Sequence, residues 1–156
     1  MSHFKKDQTI IVTTDFSDGA QSAFSVAKEL SKKTGLKIEL VHILNPNFIP
    51  PVYYQEIVNV KEVARLRKNI KQKLNMELIS NFPEPENVRP VLLDGIPFRK
   101  IIEYAKESNA AMIVMASHGH SSINHILFGS TVERVVRKSP IPVLTVPARE
   151  KQLDLP

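Results

Sequence analysis

A chain of 156 residues, 42% of them apolar, is long enough for one full core and too short for two, so one domain is expected over 1–156, with its core at about 7–148 and a short tail at 149–156. It carries 21 lysines and arginines against 16 carboxylates, a net charge of +5, and no cysteine, which excludes disulfides, thiolate metal sites and a cysteine nucleophile. No apolar run reaches the roughly 18 residues that span a bilayer, and the opening "MSHFKKDQTI" lacks the apolar region of a signal peptide, so a cytoplasmic location off the membrane is expected.

"TIIVTT", Thr9 to Thr14, is a β-branched run suited to a buried first strand, and "DFSDGA" then leads into a helical stripe through Ala20, Ala23, Phe24, Ala27 and Leu30. Thr34-Gly35 ends that helix, because glycine takes the left-handed conformation that closes a helix C-terminus. "KIELVHIL", Lys37 to Leu44, is the second strand, and the proline-rich "NPNFIPPVYYQE" after it is irregular. In "KEVARLRKNIKQK", Val63, Leu66, Ile70 and Leu74 recur at helical spacing with Lys61, Arg65, Lys68 and Lys71 between them. These cations read as a solvated helix face: no aromatic residues are interleaved for base stacking and no nucleic-acid-binding signature is present, so a nucleic-acid partner is not expected. The helix ends near "SNFPEPEN", and "NVRPVLL" is the third strand, where Pro90 cannot donate a ladder hydrogen bond and favours a sheet edge.

The second half repeats the alternation. "DGIPFRKIIEYAKES" predicts a turn and a helix with Pro97 in its first turn, where the missing N–H costs little. "AAMIVMA" is the fourth strand, apolar enough to be covered on both faces. After a long polar loop, "STVERVVRKS" is a helix stopped by Pro140, and "IPVLTV" is the fifth strand. This repetition predicts a three-layer, Rossmann-like α/β fold, an open parallel sheet with helices on both faces.

In such sheets ligands sit beyond the carboxyl ends of the strands, where the strand order reverses. If strands one and four are central neighbours, the loop carrying Asp15 meets the loop opened by Ala116. Ser130, with Glu133 three residues on, makes a capping-box pattern at the start of the last helix, whose N–H groups carry the positive end of the helix dipole and attract anions. Gly119 and Gly129 would let backbone N–H groups approach phosphate oxygens without an intervening side chain. Asp15 has a second reading, as a cap for the first helix together with Ser17 and Asp18. His118, His120 and His125 with His42 do not follow a ligand spacing, and no metal site is expected. Nor is there a nucleophile elbow, a P-loop lysine or a kinase signature, so no dedicated enzyme is expected and at most a slow hydrolysis of bound nucleotide.

The stretches "TTDFSDGAQSAFSVAKELSKKTG", "LVHIL", "GIPFRKIIEYAKESNAAMIVMASHGHSS" and "FGSTVERVVRKSPIPVLTVP" together resemble a universal stress protein domain over nearly the whole chain. The nucleotide-binding members of that family carry Gly, two residues, Gly, nine residues, Gly and then Ser or Thr. Here that frame falls on Ala116, Gly119, Gly129 and Ser130, with alanine in place of the first glycine. The resemblance implies a sheet of five parallel strands in the order 3-2-1-4-5 and a site for ATP, with magnesium as the phosphates' counter-ion. It implies that Asp15 and Ile43 border the ribose and adenine, that Met115 and Ala116 line the wall, and that Gly119, Gly129, Ser130 and Thr131 hold the phosphates, with Thr13 and Thr14 beside Asp15. It further implies a homodimer through the strand at Pro142–Val146. The expected function is a stress-response module regulated by adenine nucleotide, in which "NPNFIPPVYYQE" or residues 120–128 order over the ligand. The alternative is a dimeric interaction module whose site is closed, because the Ala116 methyl either strains the backbone or crowds the nucleotide.

Overall fold

The computed structural model describes residues 4–45, 60–117 and 129–147. In chain order these form β1 (Thr9–Thr13), α1 (Ala20–Thr34), β2 (Lys37–Leu44), α2 (Val60–Asn81), a 3-10 turn (Pro85–Asn87), β3 (Val88–Asp94), α3 (Pro97–Glu107), β4 (Ala110–Ala116), α4 (Ser130–Lys138) and β5 (Val143–Val146). The strands make one five-stranded sheet in the order β3-β2-β1-β4-β5, every pairing parallel. The expected order and layering hold.

Alternation along the central strands decides which layer each residue joins, because successive side chains of a strand point to opposite faces. Ile10 and Val12 of β1 with Ile38 and Leu40 of β2 pack beneath Ala23, Phe24 and Ala27 of α1 and Leu74 and Leu78 of α2. Ile11, Val41, Ile113 and Met115 face the other way, against Ile101 and Ala105 of α3 and Val132 and Val135 of α4. Each of the larger apolar side chains among these, once fully buried, stabilises the fold by roughly 1.5–3 kcal/mol.

Local signals end the elements where expected. Gly35 closes α1 at φ 75°, its N–H donating to Ser31 O at 2.8 Å. Pro97 stands in the first turn of α3, and Pro90 lies on β3, an edge strand, opposite Leu40. Three expectations need correction. β5 starts at Val143 and not at Ile141, since Pro142 has no N–H to give a ladder. β1 ends at Thr13, although Thr14 N still donates to Val41 O at 3.0 Å. On α2 the inward stripe runs through Val63, Arg67, Ile70, Leu74, Glu77 and Leu78, while Leu66 is 39% exposed, because the turns of the helix near its start have rotated that residue off the sheet.

Candidate functional site

At the carboxyl ends of β1, β2 and β4 the sheet opens into a cleft of about 180 Å³. Its lining includes Thr13, Thr14 and Asp15 from β1 and the turn after it, His42 and Ile43 from β2, and Met115 and Ala116 from β4. Gly129, Ser130, Thr131 and Val132 close the far side, at the start of α4. Nine sequence-expected positions therefore meet in one place: Thr13, Thr14, Asp15, Ile43, Met115, Ala116, Gly129, Ser130 and Thr131. Gly119, residues 120–128, the histidines at 118, 120 and 125, residues 46–56 of the proline-rich segment and the tail at 149–156 lie outside the described residues.

On the β1–β2 side the geometry is set by Thr14, which is only 6% exposed. Its hydroxyl donates to Glu77 Oε2 at 2.7 Å and accepts the Phe16 N–H at 2.9 Å, while its carbonyl accepts from His42 Nδ1 at 2.8 Å. The carbonyl can only accept, so His42 carries its proton on Nδ1. Burial holds the His42 pKa below its ordinary value, against the opposing pull of the Thr14 carbonyl and Asp15, which keeps the ring neutral. Phe16 sits at φ 63°, a left-handed conformation that costs a non-glycine residue roughly 1–2 kcal/mol. The site holds it there: its ring lies 4.3 Å from that of His42, and Lys73 Nζ stands 4.5 Å from the ring centroid. Asp15 accepts from the backbone N–H of Ser17 at 3.0 Å and from its hydroxyl. Asp15 is thus tied to its own turn, and α1 begins at Ala20 behind the N-cap Gly19 with no side-chain cap, so neither Asp15 nor Ser17 or Asp18 caps that helix.

Sequence reasoning missed Glu77. This carboxylate approaches from α2, and burial raises its pKa against the lowering effects of the Thr14 hydrogen bond and Lys73. A signal existed: Glu77 interrupts the inward stripe, three residues after buried Leu74 and just before Leu78.

The β4–α4 side is built differently. The expected capping box does not form: Gly129 is the N-cap, Ser130 is the first helical residue, and no side chain caps the helix. Ser130 has moved one position into the helix because Gly129 N donates to Ser117 O at 2.9 Å and Gly129 O accepts from Glu133 N at 3.0 Å. Glu133 instead faces Arg137, 3.5 Å away. The N–H groups of Ser130, Thr131 and Val132, which have no intrahelical acceptor in any α-helix, thus start the helix beside the cleft. Gly129 has φ −65° and ψ 153°, ordinary for any residue, and a Cβ added there would meet only Ser117 O, at 3.9 Å. Among the described residues neither backbone conformation nor packing requires glycine at 129, and its missing side chain leaves room in the cleft. Ala116 is not among the residues with positive φ, so its methyl group imposes no left-handed strain on β4.

Comparison with known proteins agrees with this architecture. The family model described as universal stress protein family matches residues 7–147. The universal stress protein MJ0577 of Methanocaldococcus jannaschii is 27% identical over 150 residues, covering 88% of this chain and 93% of that one. The solved structure of MJ0577 superposes with a TM-score of 0.75 at 26% identity, over 94% of this chain and all of that one. A universal stress protein solved in complex with cAMP shares the fold, with a TM-score of 0.63 at 23% identity over 93% of this chain and 100% of its own. With the family model covering all five strands and both walls of the cleft, this chain belongs to the universal stress protein family.

Proposed function

We propose that the protein is a cytoplasmic module that binds ATP, or a related adenine nucleotide, in the cleft and changes its interactions accordingly. One observation carries this proposal: the first turn of α4, without a side-chain cap, opens into the cleft beside a glycine that no described residue crowds. Backbone N–H groups at a helix start, with the Ser130 and Thr131 hydroxyls, suit phosphate oxygens without needing a cation. Val41, Ile43 and Met115 offer an apolar wall for a base, and Asp15 a carboxylate for ribose hydroxyls. Magnesium would accompany the phosphates as their counter-ion. The cAMP-bound relative shows that this fold holds an adenine nucleotide elsewhere in the family, and the residues of this cleft are what support the same class of ligand here.

The role proposed is binding rather than turnover. A second proposal concerns assembly: β5 is the last strand of the sheet, its Leu144 is 40% exposed, and pairing of Pro142–Val146 with the same strand of a second copy would cover both. Thermal-shift titration of nucleotide-stripped protein with ATP and magnesium, against GTP, tests the first proposal. At 100 times the dissociation constant, ATP is expected to add about 2.7 kcal/mol of stability. No rise at millimolar ATP would leave the dimeric interaction module as the better account, and a monomer by light scattering would remove that one.

A further inference from the structure

We propose that the outer face of α3 and α4 is a docking surface for an acidic segment of a partner protein. Phe98, in the first turn of α3, is half-buried, and cations from both helices converge on its ring. Arg134 lies 5.2 Å from the ring centroid, Arg99 5.8 Å and Lys138 5.9 Å, and all three side chains are exposed. Among the described residues none of the three has a carboxylate within ion-pair distance. Two acids of the same helices pair with other cations, Glu133 with Arg137 at 3.5 Å and Glu103 with Lys100 at 2.8 Å, and Arg99 acts on Glu103 only from beyond ion-pair distance. Residues 118–128, which connect β4 towards α4, contain neither aspartate nor glutamate.

An aromatic face attracts an exposed cation, but three like charges gathered round one ring also repel one another. An incoming anionic group removes that repulsion, and the ring offers an apolar floor between the charges. The size and place of the cluster choose the occupant. A second copy of the chain would bring a net charge of the same sign. Nucleic acid would need a longer path of cations, and the other basic run, on α2, packs on the opposite face of the sheet. A membrane would need apolar groups that project, whereas Phe98 is recessed among its cations. A short acidic segment carrying one apolar anchor meets both features.

The surface adjoins the cleft. Pro97 and Val132 line the cleft, and Phe98 and Arg134 follow them on the same two helices, so a ligand that shifts the start of α4 also shifts the cation cluster. That coupling, and only that, rests on the proposed nucleotide binding.

The test is fluorescence anisotropy of the full chain with a labelled peptide of glutamates flanking one tryptophan. A lysine-for-glutamate peptide, single-stranded DNA and phosphatidylserine vesicles serve as competing probes. The acidic peptide is expected to bind, more weakly as salt rises. Replacing the cluster by Arg99→Gln, Arg134→Gln and Lys138→Gln together is expected to weaken binding by about tenfold or more. The matched removal of Arg65, Lys68 and Lys71 on α2 is expected to leave it unchanged. Circular dichroism melting of both triple variants keeps a folding defect separate from lost docking. Equal weakening by the two triple variants, or tighter binding of DNA or vesicles than of peptide, overturns the proposal. ATP that stabilises the protein without changing peptide affinity overturns the coupling alone, and ATP that fails to stabilise it counts against the nucleotide site while the docking surface stands.

Discussion

On the β1–β2 side of the cleft every polar atom of Thr14 has a partner inside the protein, whereas on the β4–α4 side the first turn of α4 is left without a side-chain cap. The first wall gains little from a ligand, since a new hydrogen bond there would have to displace an existing one. It serves as a fixed template: Glu77 holds Thr14, Thr14 holds His42 and the turn at Phe16, and that turn sets Asp15. The second wall has donors to spend and space to receive their acceptor. On the proposed reading the phosphates would therefore draw their hydrogen bonds from the α4 side, while the β1–β2 side would supply shape, an apolar wall and the Asp15 carboxylate.

Three substitutions break or sharpen this contrast, taken from the largest expected effect. Gly129→Leu fills the room beside the α4 N-terminus, so the roughly 2.7 kcal/mol of ATP stabilisation at saturating ligand is expected to vanish. The unliganded protein should lose no more than about 1 kcal/mol, because glycine is the N-cap and leucine a poorer one. Undiminished ATP binding, read by thermal shift, would move the phosphates off this wall.

Thr14→Val attacks the other wall. It strips the donor from half-buried Glu77 and the acceptor from the Phe16 N–H, and a cost of about 1–3 kcal/mol is expected in urea unfolding. A loss of ATP affinity with no loss of stability would show that Thr14 touches nucleotide and is not a structural tie.

The smallest effect is expected from Glu77→Gln, and its sign depends on pH. Burial raises the Glu77 pKa above its ordinary 4.5, so this group favours folding most when protonated and loses that contribution as the pH rises through its folded value. Glutamine has no charge to desolvate and still accepts from Thr14. The variant should be slightly more stable than the parent at neutral pH, with the gap closing as the pH falls towards 4.5. His42 acts in the opposite sense: its lowered pKa means that stability present above 6.5 is lost as the pH falls through the folded value. Both proteins share that loss, so the difference between their pH profiles measured by thermal melting isolates Glu77.

The alternation of "TIIVTT", "KIELVHIL" and "AAMIVMA" with helical stripes determined the layers and the parallel sheet, and Gly35, Pro90 and Pro97 marked ends and edges, because period and allowed φ are local properties that neighbours in sequence enforce. The residues around the cleft were legible for the same reason: Asp15, Ile43 and Ala116 stand at strand ends, and Ser130 and Thr131 at a helix start. What only the tertiary structure decided depends on residues far apart in the chain. Thr14 meets Glu77 across 63 positions, which no spacing rule joins, and that contact ties the turn after β1 to α2 while Thr14 still lines the cleft. The capping box failed because a backbone bond from Gly129 to Ser117 outranked a side-chain motif in setting where α4 begins. The cations around Phe98 likewise come from two helices that are separate in the chain, brought together only when α3 and α4 pack side by side on one face of the sheet.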